Sequence, residues 1–488
     1  MNDLKRKAAS GLFFKFAERV GAQGINFIIQ ILLARILMPD DYGLIALVVV
    51  FITVCDVFVT YGFGNSLIVN KKSDHLDFST CFYFGLALSV VVYAIVFYSA
   101  PFIASFYSKP LLTPVIRVMG IRIPIASVNS VQHAYVSKNM WFRKFFFATL
   151  IGTIISGVVA VIMAYQGFGV WAMVEQNLGN VIIDTICLWI IVGWRPKAEF
   201  SFKRLKVIYD YGWKVLGVGL IDTLYTQLRD LIIGKKYTSA DLAYYNRGYR
   251  FPSFAMRLIE PTVNTVLFPT LSQCKENQAE MRSITRRLVK ISTFIVSPVM
   301  VGLAVVAEPM VLVLLTNKWL PCVLFLRIGC IANLFRPNQF INNSVIAASG
   351  RSDLLLKLNI LKKSLGVGIL IASMAFGLTG IAVSQIIIYF LSMVINIAPN
   401  RKILGYGYLQ QTKDFVANLL PALVMGVVVY PISKIDLAPL AVLFLQIVAG
   451  VFVYVVISLL FRNESFFYLL NIAKQHLHKS KTKAESES

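Results

Sequence analysis

Basic side chains stand inside long apolar stretches of this chain at Lys15, Arg19, Arg35, Arg117, Arg122, Lys214, Arg229, Arg247, Arg250, Arg257, Arg327 and Arg336. A guanidinium is always charged and presents a planar fork of donors, which suits it to phosphate. Facing lipid at a helix centre, each such residue would cost about 2.5–3.5 kcal/mol, so the deep ones must face water, protein or a ligand. Arg35, Arg117, Arg247 and Arg327 lie within about a turn of a boundary and are expected to snorkel to the interface. Arg122, Arg257 and Arg336 lie too deep for that. Acids in the same stretches are fewer, namely Glu18, Asp56, Glu175, Asp184, Asp210, Asp222, Asp230, Glu260 and Glu308. Lys15 with Glu18 and Arg257 with Glu260 stand at i, i+3, where a local ion pair fixing helix packing is as good an account as ligand binding. The remaining surplus of cations calls for an anionic ligand. Asp222, Asp230 and Glu308 are the candidates for binding a coupling proton or cation, although no spacing is specific for Na⁺.

The polar residues fall on single helix faces. Lys15, Arg19, Asn26 and Gln30 form one stripe, Asp222, Thr226 and Arg229 another, and Arg250, Arg257 and Asn264 a third. Arg122, Asn129 and His133 follow the same rule, as do Arg336, Asn338, Asn342 and Asn343. These stripes predict a water-filled cavity. Its head-group site is assigned to Arg122, Arg229, Arg250, Arg257, Arg336, Asn129 and Asn342, with Lys15, Arg19 and Lys214 toward its inner side.

The elements that position these residues are set by composition. Of 488 residues, 57% are hydrophobic and 15% charged, against about a quarter charged in a soluble domain. Apolar blocks of roughly 20 residues, each able to cross a hydrocarbon core of about 30 Å, recur near 11–36, 43–67, 78–100, 114–137, 145–166, 170–194, 207–234, 244–271, 290–316, 323–349, 358–376, 381–399, 414–433 and 439–461. The prediction is an all-α polytopic membrane protein of about fourteen transmembrane helices; the absence of period-2 alternation excludes a β-barrel. With both termini inside, the Lys and Arg of 5–7, 71–72, 138–144, 195–206, 275–290, 351–363, 401–413 and 462–483 are cytoplasmic, and the outer loops keep only Lys109, Lys235, Lys236, Lys318 and Lys434. The net charge of +23 is therefore largely topological and needs no nucleic-acid partner.

A weak internal repeat is also present. Arg35 to Gly43 matches Lys235 to Ala243; Arg117 and Gln132 match Arg327 and Asn342; Gly167 and Ala172 match Gly377 and Ala382. Hydrophobic helices share letters by chance, but these polar landmarks keep register. Spans 1 to 6 (1–204) and 7 to 12 (205–410) then form two parallel copies, with spans 13 and 14 (411–462) appended and a disordered cytoplasmic tail (463–488). Parallel repeats are a transporter architecture in which substrate binds between the halves. Pro124, Pro252, Pro261, Pro298 and Pro337 are placed to bend spans or fix kinks. Other chemistry is weakly supported. Asp40-Asp41 resembles the acidic pair of membrane glycosyltransferases, but helix-end capping is simpler; the four histidines are too dispersed for a metal site; the six cysteines read as small buried side chains. No catalytic residue, metal or cofactor is expected.

Several runs resemble the Wzx-type polysaccharide transporters of the multidrug, oligosaccharidyl-lipid and polysaccharide exporter superfamily: Leu33 to Gly43, Gly167 to Ala172, Trp194 to Pro196, Tyr211 to Lys214, Asp222 to Tyr225, Tyr244 to Arg247, Val266 to Pro269 and Gly350 to Asp353. The likeness covers about residues 10–460 and is greatest to the colanic-acid and lipopolysaccharide-unit exporter branch. It implies two six-helix lobes in a V plus two C-terminal helices. It also implies flipping of undecaprenyl-pyrophosphate-linked oligosaccharide across the bacterial cytoplasmic membrane by alternating access, with membrane lipids, a polysaccharide polymerase and a chain-length regulator as partners. The family has no strict substrate motif, so the site residues rest on the cavity argument. An ion-coupled small-molecule exporter of the same superfamily is the alternative, although organic cations would need an acidic cavity. A membrane-embedded polymerase or glycosyltransferase is another, although no large outer loop is available to hold an acceptor.

Overall fold

The computed structural model describes residues 21, 23–60, 67, 73–274 and 277–471, and every regular element among them is helical. Lys15, Glu18 and Arg19 lie outside the described residues. The helices are α1 (Gln23–Ile36), α2 (Pro39–Thr60), α3 (His75–Phe106), α4 (Leu112–Gly120), α5 (Arg122–Lys138), α6 (Phe142–Tyr165), α7 (Val170–Val192), α8 (Phe202–Lys236), α9 (Ser239–Gln273), α10 (Gln278–Val305), α11 (Ala307–Leu314), α12 (Cys322–Asn333), α13 (Arg336–Ala348), α14 (Ser352–Ser373), α15 (Gly377–Leu404), α16 (Tyr408–Val429) and α17 (Pro439–Leu460). A last helix covers 464–471.

Within the described residues, each expected span falls on a helix or on two successive helices. On α17, Phe444 and Phe452 are 67% and 68% exposed, and their helix shows an apolar face on almost every side. Surfaces of that kind do not persist in water, and their solvent is the bilayer. The chain is a multi-pass membrane protein. Two stretches depart from the expectation: 464–471, expected within a disordered tail, forms the last helix, and 278–288, expected in a cytoplasmic loop, is the beginning of α10. Asn277 caps it by accepting the backbone N–H of Glu280 at 3.1 Å, and Met281, Thr285 and Val289 form its buried face. Hydropathy alone misses helices that extend past the membrane.

The chain packs as two compact units, Met1–Ala243 and Tyr244–Ser488. The expected repeat boundary at 204/205 falls in the first turn of α8, whereas the units part after that helix, which packs on α2 with Gly234 against Leu47.

Local geometry recurs from one repeat to the next. Asp41 accepts the backbone N–H of Met38 at 3.2 Å at the head of α2, and Asp241 accepts that of Thr238 at 3.1 Å at the head of α9. The first of these bonds gives Asp41 the helix-end capping role expected of it. Arg117 donates Nε to the carbonyl of Phe97 at 3.3 Å, and Arg327 donates Nε to that of Ala304 at 3.2 Å. Gly167 and Gly377 open matching hairpins at φ +85° and +72°, a conformation costly for other residues.

Candidate functional site

Spans 4 and 10, expected to be single helices, are each two, and proline is the reason. Pro124 offers no N–H to the carbonyl of Gly120, and its ring crowds that carbonyl. The chain tightens there, with the N–H of Ile121 bonding Val118 at 3.2 Å in an i, i+3 step. Pro337 acts in the same way four residues after Asn333, where Leu334 and Phe335 bond Ile331 and Ala332 at 3.3 Å. Pro252 and Pro261, by contrast, lie inside an uninterrupted α9, and Pro298 inside α10.

An arginine heads the second half of each broken span, and in each repeat a carboxylate from the corresponding helix holds it. In the first unit Arg122 Nη2 lies 3.3 Å from Asp56 Oδ2 of α2, the side chains 27% and 16% exposed. In the second unit Arg336 bonds Glu260 of α9, the side chains 28% and 27% exposed. Both pairs are thus half-buried, screened from bulk water yet reachable. The first pair is incompletely satisfied: the buried Arg122 Nε and Asp56 Oδ1 have no hydrogen-bond partner among the described residues. Arg257 completes the second. The expected pairing of Arg257 with Glu260 along one helix is not formed, because Glu260 turns to Arg336. Arg257 is exposed, its Nε 3.4 Å from the carbonyl of Ser253, and it feels the like charge of Arg336. Glu260 thus pairs with Arg336, and Arg257 beside them adds a positive charge that no carboxylate among the described residues bonds, a surplus at a helix break. Discontinuous helices in corresponding positions of two repeats are where transporters place their binding groups.

The other expected site residues separate by environment. Arg229 and Arg250 are half-buried on α8 and α9, and Lys214 is exposed on α8. Asp222 is exposed and Asp230 half-buried, while Glu308 is 58% exposed and 3.9 Å from Arg327 Nη2. Arg247 is buried instead of snorkelling, its guanidinium 5.1 Å over the ring of Trp319.

The two asparagines assigned to the head-group site, Asn129 and Asn342, are buried. Asn129 donates to Asp184 Oδ2 at 2.7 Å, the oxygen that also meets His133 Nε2 at 3.3 Å, while Thr149 donates to Oδ1 at 3.3 Å. The stripe on α5 thus faces a carboxylate of α7. Asn342 is fully buried, exchanging amide bonds with Gln411 at 2.9 and 3.1 Å and accepting from Asn400 at 2.5 Å. These two residues are corrected from cavity lining to interior packing. Reading the sequence for stripes missed these pairings, although Asp184 follows Gln176 and Asn180 at i, i+4 and i+8, Asn400 follows Asn396 at i+4, and Gln411 precedes Asp414 and Asn418 at i+3 and i+7.

The sequence model of a family described as "Polysaccharide biosynthesis protein" matches residues 32–324, more than half of the chain. The chain belongs to this family. It is 24% identical to the lipopolysaccharide biosynthesis protein WzxC of Escherichia coli (strain K12) over 418 residues, 83% of this chain and 84% of that protein. To the succinoglycan biosynthesis transport protein ExoT of Rhizobium meliloti (strain 1021) it is 24% identical over 302 residues, 62% of this chain but only 61% of ExoT. The structure of the lipid II flippase MurJ in an inward closed conformation superposes with a TM-score of 0.73 at 15% identity, covering 93% of this chain and 98% of that one. This likeness establishes a shared fold.

Proposed function

We propose that this protein is a flippase that moves undecaprenyl-pyrophosphate-linked oligosaccharide units across the bacterial cytoplasmic membrane for surface polysaccharide synthesis. The observation that carries this reading is the repeated one: a proline-broken helix headed by an arginine on a carboxylate, once in each repeat, with Arg257 adding unbalanced charge in the second. A pyrophosphate competes well for a guanidinium held this way, because charge-assisted bidentate bonds to phosphate are among the stronger hydrogen bonds. ExoT, WzxC and MurJ, named as a transport protein, a lipopolysaccharide biosynthesis protein and a lipid II flippase, point the same way. The cycle is alternating access, with Arg122, Arg257 and Arg336 meeting the head group, Arg229 and Arg250 flanking it, and no bond made or broken by the protein. A polymerase and a chain-length regulator would take the product.

The test compares binding of a polyprenyl-pyrophosphate glycan with that of the uncharged polyprenyl glycoside of the same glycan and tail. A preference for the pyrophosphate of about tenfold or more is expected, from one charge-assisted bond of about 1.5–3 kcal/mol. It should shrink in Arg257→Gln and Arg336→Gln. Equal binding of the two lipids would transfer recognition to the sugar or the tail.

Orientation is tested separately, in a background without the six native cysteines. A cysteine at the exposed Lys236 is expected to react with an impermeant thiol reagent added to intact cells, and one at the exposed Ser283 to stay unlabelled. Ser239 does not serve for this purpose, being buried and bonded by Lys109 at 2.5 Å. Labelling of Ser283 from outside would reverse the topology.

A further inference from the structure

The early turns of α10 and the 464–471 helix border an open pocket of about 420 Å³, within the range of small-ligand sites. Arg282, Arg286 and Lys290 line one wall at i, i+4 and i+8, with Arg287 beside them; Glu464 and Tyr468 stand on the other. That second wall is anchored: the Ser465 hydroxyl donates to Asn418 at 3.1 Å, and the Phe466 ring packs 6.3 Å from that of Phe294.

The charges inside do not balance. Arg286 grips Asp414 with two bonds of 2.7 and 3.0 Å, and Lys290 bonds Glu464 at 2.6 Å, holding that carboxyl below its ordinary range. These two cations occupy both carboxylates. Among the described residues, Arg282 meets only a neutral amide, Gln410 Oε1 at 3.1 Å, and the Arg287 guanidinium lies 5.2 Å from the Tyr468 ring centroid. Two guanidiniums therefore line this pocket with no carboxylate among the described residues bonded to them, Glu464 opposite being taken by Lys290; the sequence beyond it carries Lys474, Lys479, Lys481 and Lys483 against Glu485 and Glu487. Phe467 and Tyr468, each 39% exposed, are aromatic residues of the kind that sit at lipid headgroup level.

We infer that this pocket binds a phosphate-bearing anion between Arg282 and Arg287, supplied as the headgroup of an anionic phospholipid where α10 enters the bilayer. Basic pockets between spans on the side that carries the positive charge are suited to such headgroups. The site is independent of the flippase reading and stands whatever the transported solute is.

The test uses the purified, delipidated full chain in detergent, with native mass spectrometry of added phosphatidylglycerol and phosphatidylcholine and with inorganic phosphate titrated as the soluble alternative. Neither arginine carries an ion pair among the described residues, so Arg282→Gln with Arg287→Gln should leave the melting temperature in place. This variant is expected to bind phosphatidylglycerol roughly 30-fold more weakly, since each basic residue near an anionic surface contributes about fivefold. The paired lysine substitutions should keep most of the binding, and Lys357→Gln, an exposed cation elsewhere, all of it. Phosphatidylcholine should discriminate none of them. Variant-sensitive binding of inorganic phosphate without phosphatidylglycerol would uphold the phosphate site and overturn the lipid as its source. Unchanged binding of both in the double glutamine variant would overturn the inference.

Discussion

Gly248→Leu is expected to abolish recovery of monodisperse protein, while Gly217→Leu and Gly368→Leu leave it unchanged. At Gly248, on α9, even a Cβ would lie 2.6 Å from the carbonyl oxygen and 2.7 Å from the backbone N of Cys322 and Leu326 on α12. Those are backbone atoms, so no rotamer change relieves the overlap; the two helices would have to separate. Without a hydrophobic drive between helices in lipid, that close approach is itself the attraction. The cost should exceed the roughly 1–3 kcal/mol of ordinary overpacking, where side chains can shift. At Gly217 and Gly368 an added Cβ meets nothing within 4 Å. Size-exclusion profiles of fluorescent fusions in detergent check this. A normal peak for Gly248→Leu would show that α9 and α12 are not held this closely.

What the sequence disclosed follows from which physical terms leave a local trace. Hydropathy located every span within the described residues because lipid demands apolar side chains over a fixed length. The capping role of Asp41 was legible because a cap acts within three residues. The broken spans were only half legible: Pro124 and Pro337 were visible, but so were Pro252, Pro261 and Pro298, which interrupt nothing. The outcome depends on packing around each proline, and packing is not local.

The candidate site was legible in its charges and illegible in its pairings. Arg122, Arg257 and Arg336 stood out by cost alone. Their partners did not, because Asp56 and Glu260 come from other helices, and the i, i+3 spacing of Arg257 and Glu260 suggested a bond that the fold makes elsewhere. Asn129 and Asn342 show the same limit. A polar stripe has the same spacing whether it faces water or an acid such as Asp184, and only the neighbouring helix decides.

Arg336→Gln is expected to lower export of lipid-linked glycan by about tenfold or more, and Glu260→Gln added to it should restore the amount of folded protein without restoring export. Removing the arginine alone leaves the Glu260 carboxylate half-buried without its cation, and breaking such a pair on one side is costly. Some of the single variant's loss is therefore stability. Neutralising both partners removes that penalty, so what remains lost in the double variant is the head-group contact. The same pattern is expected for Arg122→Gln with Asp56→Asn in the first repeat. Arg351→Gln, exposed between α13 and α14, should leave export intact. Export measured as surface polysaccharide per folded protein separates the two effects. Full export from the Arg336→Gln, Glu260→Gln protein would show that the pair only fixes the break in span 10, and would leave Arg257 and Arg250 as the cations of the second unit to meet a pyrophosphate.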